Sequence, residues 1–179
     1  MIVSLKDTYK NEVVAEMMKR FGYKNVHMVP KLEKIILNCG ISSARERDVL
    51  TEAATMLTTI TGQKAVLTKS RRAVAGFKIR EGQSIGTKVT LRNHYMFDFM
   101  NRLINNALPR VRDFRGIKTS GFDGFGNYTM GVSDQSIFTE LDLDKIKHQI
   151  GMNISFVTTA KSDEEGRALL ELLGMPFAK

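Results

Sequence analysis

The chain has 179 residues, 42% of them apolar, one cysteine and a net charge of +8. That length fits one domain over 1–179 whose core needs no covalent staple, and the lone Cys39 excludes an internal disulfide and a cysteine metal cluster. No apolar run approaches the ~20 residues that span a bilayer, and Lys6, Asp7, Lys10, Glu12 and Glu16 interrupt the N-terminal stretch before it can act as a secretion signal, so a cytoplasmic location is expected.

The first predicted element is an amphipathic helix over about 5–21. Ser4-x-x-Asp7 resembles a capping box, Tyr9, Val13, Met17 and Val14, Met18, Phe21 recur at helical spacing, and Gly22 ends it. A strand follows at Leu32–Asn38, where Ile35, Ile36 and Leu37 favour extended backbone. The second helix covers about 46–61, opened by Ser43-x-x-Glu46, lined by Val49, Leu50, Ala53, Leu57 and Ile60, and closed by Gly62. A short strand fits 64–68. The cleanest strand signal is 84–92, with Ile85, Thr87, Val89 and Leu91 on one face and Ser84, Gly86, Lys88, Thr90 and Arg92 on the other.

A third helix is predicted over about 94–108, with Asn93 as its cap, Pro109 at its end, and a buried stripe of Tyr95, Met96, Phe99, Met100, Leu103, Ile104 and Ala107. Five glycines in 114–131 point to turns and a hairpin near Gly124 to Asn127. Met152–Ala160 alternates as a strand, and the last helix starts at Ser162-x-x-Glu165 and stops at Gly174-Met175-Pro176. Strands and helices do not alternate strictly. The expected fold is therefore α+β: two layers, a mainly antiparallel sheet with helices on one face, and a long basic loop. The alternation in 84–92 leaves the other sheet face polar and open to a partner.

Charge is concentrated rather than spread. Residues 64–92 carry Lys64, Lys69, Arg71, Arg72, Lys78, Arg80, Lys88 and Arg92 against Glu81 alone, which accounts for +7 of the +8. One-signed clustering selects a polyanion, whereas a merely solvated surface mixes its signs. Within this region, 70–83 is a stretch between two strands with no clear periodicity, and uninterrupted loops of that length are usually functional. Its Arg71, Arg72, Lys78 and Arg80 neutralise phosphate, and Phe77 offers a ring for stacking. On the polar face, the small Ser84, Gly86 and Thr90 let a nucleic-acid backbone approach closely and Lys88 and Arg92 neutralise phosphates, while Asn38 and Gln63, near the ends of neighbouring elements, both donate and accept hydrogen bonds.

Signals for catalysis are weak. His27, His94 and His148 have no ligand-spaced partner, so no metal and no cofactor are expected. Gly124-Phe-Gly126-Asn-Tyr-Thr-Met-Gly131 departs from a dinucleotide loop in its last spacing. Asp163, Glu164 and Glu165 occupy a helix start, where acids are stabilised by the backbone dipole. An RNA-modifying enzyme is the alternative to a non-enzymatic RNA-binding protein, and a methyl-donor or nucleotide pocket would reveal it.

The stretch Leu57-Thr-Thr-Ile60-Thr61-Gly62-Gln63-Lys-Ala-Val66-Leu-Thr68-Lys-Ser70-Arg71-Arg-Ala73 resembles the universal large-subunit ribosomal protein family numbered five. So do Val74-Ala-Gly-Phe-Lys-Ile-Arg80, Lys88-Val-Thr-Leu-Arg92, Pro109-Arg-Val-Arg-Asp-Phe-Arg-Gly116, Phe122-Asp-Gly124, Gly126-Asn-Tyr128 and Thr158-Thr-Ala-Lys-Ser-Asp-Glu-Glu-Gly-Arg-Ala168. The resemblance implies a non-enzymatic constituent of the bacterial large subunit that attaches 5S rRNA in the central protuberance, with 23S rRNA as a further partner and no membrane or small-molecule substrate. It implies 5S rRNA contacts at Asn38, Gln63 and Thr90, with Lys34, Lys64, Lys88 and Arg92 against phosphates. It places the 70–83 loop (Arg71, Arg72, Phe77, Lys78, Arg80) on P-site tRNA. It assigns an inter-subunit bridge with small-subunit head protein thirteen to Arg110, Arg112, Arg115, Asp134, Glu140, Asp142 and Asp144. Cys39 stands where that family leads one to expect a larger apolar residue such as methionine.

Overall fold

A computed structural model describes residues 5–42, 47–142, 144 and 146–178. The chain forms two compact units that interleave along the sequence. One comprises Met1–Ile35, Arg92–Met130 and Ser155–Lys179, the other Ile36–Leu91 and Gly131–Ile154. A five-stranded sheet has the order β2-β3-β1-β5-β4, where β1 is Leu32–Gly40, β2 Val66–Lys69, β3 Ser84–Leu91, β4 Tyr128–Val132 and β5 Met152–Thr158. With helices packed against a mainly antiparallel sheet, the architecture is α+β, as the patterning predicts.

In the first unit, α1 (Leu5–Thr8), a π-helical turn (Tyr9–Val13) and α2 (Val14–Phe21) make one helical run that buries Val13 and Met17. It ends where expected. Gly22 takes φ 67°, and its N–H reaches Met18 O, the left-handed cap that glycine adopts without a steric penalty. Ser4 lies outside the described residues. Helix α4 (Asn93–Arg102) continues through a π turn (Leu103–Ala107) into a short 3-10 turn (Leu108–Arg110) containing Pro109, which brings Met96, Phe99, Met100, Leu103 and Ala107 inside.

Two expectations about α4 are corrected. Asn93 is not its cap: it lies inside the helix at φ 51°, the cap position is Arg92, and no side chain bonds the first turn. Tyr95 is not in the buried stripe. It is 44% exposed, with its ring 4.2 Å from that of His94.

Helix α5 (Asp163–Leu172) opens as its sequence announces. The Ser162 hydroxyl accepts the Glu165 N–H at 3.4 Å, and the Glu165 carboxylate accepts the Lys161 N–H at 2.9 Å. The hairpin expected near Gly124 to Asn127 is present as a clamped turn. Asp123 accepts the N–H groups of Phe125 and Asn127, and Asp163 accepts those of Gly124 and Gly126. Beyond it Tyr128 is buried, its ring among those of Phe122, Phe156 and Phe177 and its hydroxyl donating to Lys118 O at 2.7 Å. Tyr128 opens β4, which the glycine count hid: only Tyr128 and Val132 of its five residues are buried.

The second unit is built on α3 (Arg47–Thr61) packed against β2 and β3. Val49, Ala53, Leu57 and Ile60 are buried as predicted, and Met56 joins them. Ser43 and Glu46 lie outside the described residues. Strands β2 and β3 pair antiparallel from Val66↔Lys88 to Thr68↔Gly86, then slip register before Lys69. Thr87, Val89 and Leu91 are buried while Lys88 is exposed, the alternation read from the sequence.

Candidate RNA interface

Strand periodicity brings Asn38 of β1 and Lys88 and Thr90 of β3 to outward positions of the second unit, and the turn after Gly62 adds Gln63 and Lys64. The two amides are held in place by the backbone. Asn38 Nδ2 donates to Thr87 O at 3.3 Å, and Gln63 Nε2 donates to Thr90 O at 3.2 Å. The Thr61 hydroxyl, buried at the end of α3, accepts the Gln63 N–H at 3.3 Å and fixes the turn. Each amide is thereby restrained before any ligand arrives, while its oxygen accepts no hydrogen bond among the described residues.

Gly86 does not serve as an opening for a ligand, contrary to the sequence reading. A Cβ there would meet Cys39 O at 2.5 Å and Thr68 Oγ1 at 3.0 Å, so its missing side chain serves strand packing. Cys39 itself is fully buried, and burial pushes its thiol up to about 11. The sequence also missed Asn153, an outward position of β5. With Asn38, Gly131 and Gly151 it lines a groove of about 490 Å³ in the second unit. The signal was available in the alternation of the strand that contains it.

In the first unit, Arg92 and Lys34 share one acid. Glu33 Oε1 lies 3.4 Å from Arg92 Nη1 and 3.8 Å from Lys34 Nζ. Exposed pairs of this kind are worth only ~0–1 kcal/mol, so a phosphate can displace the carboxylate.

The 70–83 segment has more internal order than its lack of periodicity suggests. Ser70 N–H donates to Gln83 O at 2.8 Å and Gly82 N–H to Ser70 O at 3.0 Å, which closes its base. Val74 and Ile79 exchange both backbone hydrogen bonds, at 2.9 and 3.1 Å, forming a second rung. Arg71, Arg72, Lys78 and Arg80 are all exposed, and Phe77 stands 71% exposed near the tip. The hairpin shows no alternation because both of its faces meet solvent.

The remaining predicted residues fall in separate places. Arg110, Arg112 and Arg115 are exposed in the first unit. In the second, Asp134 caps the Gln135–Ile137 turn by accepting the Ser136 N–H at 2.9 Å, and Asp142 accepts the Asp144 N–H at 3.3 Å. Glu140 stands nearby in sequence, half-exposed. Behind the turn, Gln135 is buried and bonds His148 O and Ile150 N–H at 2.6 and 2.7 Å. Glu52 of α3 accepts the Lys147 and His148 N–H groups and sits 2.8 Å from His148 Nδ1. Burial alone would raise its pKa, but these bonds outweigh it and hold the carboxyl below its usual value.

Two family profiles match the chain: the one described as ribosomal L5P family C-terminus over residues 84–177, and Ribosomal protein L5 over 25–80. The chain belongs to the ribosomal L5 family. Its similarity to "Large ribosomal subunit protein uL5" of Thermoanaerobacter sp. is 55% identity across 98% of each chain. The protein of that name from Clostridium botulinum is 54% identical over the full length of both, and that from Carboxydothermus hydrogenoformans is 53% identical over 98% of each. This is a ribosomal protein family rather than an enzyme family. No helix among the described residues is long and apolar enough to cross a membrane.

Proposed function

We propose that this structural constituent of the large ribosomal subunit binds 5S rRNA through its polar sheet face and helps attach it, alongside 23S rRNA, in the central protuberance. Asn38, Gln63 and Thr90 supply the hydrogen bonds, and Lys34, Lys64, Lys88 and Arg92 supply the phosphate contacts. The observation that carries this reading is the pair of amides pinned on β3 carbonyls with their own oxygens open. Such groups read a ligand at low entropic cost, which a merely solvated sheet face has no reason to provide.

The same reading gives the 70–83 hairpin to P-site tRNA. Its four cations and exposed Phe77 suit a backbone and a stacked surface, and its two rungs let it project as a unit. Arg110, Arg112 and Arg115, together with Asp134, Glu140, Asp142 and Asp144, serve the bridge to small-subunit head protein thirteen, where carboxylates meet a basic protein rather than phosphate.

The decisive experiment is 5S rRNA binding by Asn38→Ala, Gln63→Ala and Thr90→Ala. Each should weaken the complex by on the order of 1–3 kcal/mol, the cost of leaving a buried partner unsatisfied. Parental affinity in all three would place the RNA elsewhere.

A further inference from the structure

The first unit contains a cavity that none of the assignments above uses. It has a volume of about 790 Å³ and lies among the start of the N-terminal helical run, the connection from Tyr23 to Lys31, and the entry to α5. Three lysines line it, Lys10, Lys31 and Lys161. All three residues are exposed, and none has an ion-pair partner among the described residues. The lining holds one acid, Glu165, whose carboxylate accepts the Lys161 N–H at 2.9 Å as part of the α5 cap, so the lysines outnumber it three to one.

Like charges gathered around one cavity repel each other, so their placement favours a bound anion. The walls add a second requirement. Tyr9 and Tyr23 contribute rings, and Val26 and Met28 are 55% and 58% exposed, unusual for apolar side chains so close together. The Tyr9 hydroxyl donates to Pro30 O at 3.1 Å, and the Tyr23 hydroxyl oxygen is buried without a hydrogen bond of standard geometry. Burial, reinforced by the neighbouring Glu165 carboxylate, raises the Tyr23 phenol above its ordinary range, so it stays protonated.

Flat apolar surface rimmed by cations matches one chemical class well. An unpaired nucleotide presents a base face to stack and a phosphate to neutralise. The volume is in the range of pockets that enclose such a ligand. We infer that this cavity is a second RNA site, taking an unpaired nucleotide with its base against Tyr23 and Met28 and its phosphate among Lys10, Lys31 and Lys161. It shares no residue with the proposed 5S rRNA contacts. The chain can then hold two RNA strands at once.

The test uses the full chain and a labelled single-stranded oligoadenylate, with anisotropy read in the presence of saturating 5S rRNA. The oligoadenylate should bind under that condition. The triple variant Lys10→Gln, Lys31→Gln, Lys161→Gln should weaken it by about tenfold or more, because three phosphate-neutralising charges are gone. The same three positions changed to arginine should retain binding. Met28→Ala should weaken binding by a few-fold through lost apolar contact with the base. None of these changes should alter 5S rRNA affinity, whereas the Asn38, Gln63 and Thr90 substitutions should do the reverse, so the two sites fail independently. Circular dichroism of each variant checks that it is folded. The inference is overturned by failure of oligoadenylate to bind, by its displacement by 5S rRNA, or by unchanged affinity in the folded triple variant. Competition by inorganic phosphate or by oligoglutamate as strong as that of unlabelled oligoadenylate also overturns it, since a simple anion site would then explain the cations.

Discussion

The sheet face and the 70–83 hairpin are both basic and neighbours in sequence, yet they are built on opposite plans. On the face, Asn38 and Gln63 are tied to the carbonyls of Thr87 and Thr90, above a layer in which Leu37, Val89 and Leu91 are buried. In the hairpin, two backbone rungs hold a strip of exposed cations. A pinned amide discriminates, because a misplaced partner leaves it unsatisfied. An exposed cation attracts any phosphate and carries little positional information. On the proposed reading, one region names its RNA and the other holds one that has been delivered.

The largest expected effect is of salt. With about six phosphates neutralised, the logarithm of the 5S rRNA association constant should fall with that of salt concentration at a slope near about −5. A titration that stays flat removes the electrostatic half of the comparison. Next, replacing Arg71, Arg72, Lys78 and Arg80 together by alanine should leave most 5S rRNA affinity intact while P-site tRNA leaves assembled ribosomes several-fold faster, since each lost exposed contact is worth about 1 kcal/mol or less. Loss of 5S rRNA binding with unchanged tRNA release would exchange the roles of the two regions.

How far this contrast could be read in advance depends on what each residue is buried against. The β3 alternation, the Ser162 cap and the Gly22 stop were legible because local geometry alone demands them. Asn93 misled, since its residue type favours a cap yet also tolerates the positive φ it actually takes inside α4. The rungs of the hairpin were invisible because backbone pairs leave no hydrophobic period when both faces are wet. At the site, Asn38 and Gln63 were legible as hydrogen-bonding groups, but their assignment to 5S rRNA rested on family resemblance. Their anchoring to β3, and the Glu33 carboxylate shared by Arg92 and Lys34, are tertiary facts that no spacing encodes.

A smaller effect sharpens the picture on the protein side. Changing Asp134, Glu140, Asp142 and Asp144 to their amides should weaken subunit association at several magnesium concentrations while sparing 5S rRNA binding. Asparagine at 134 can still cap the turn, so the substitution tests charge rather than folding. Unchanged association would mean that the acids are merely solvated.

The smallest effect concerns the second unit alone. The Glu52 carboxyl is held below its unfolded value, so its contribution is present above the unfolded pKa and is lost as pH falls through the folded one. Glu52→Gln should lower the acid dependence of unfolding by about 1 kcal/mol or less, because the pair with His148 is partly solvated. Denaturant melts across the acid range measure it, and parallel curves for the two proteins would show that this latch does not couple to folding.

The interleaving of the two units has a consequence for how the chain comes into being. Synthesis delivers α3, β2 and β3 early, and these can pack as soon as Leu91 has emerged. The carboxylate of Glu52, however, must wait for Lys147 and His148, residues made 95 and 96 positions later. The first unit waits longer still, since α5 lies close to the end of the sequence. Neither unit can close before most of the other has been made. A nascent chain of this design carries its cationic segment 64–92 into a crowded, RNA-rich space while both of its cores are still open, and that interval is when it is most exposed to binding the wrong partner.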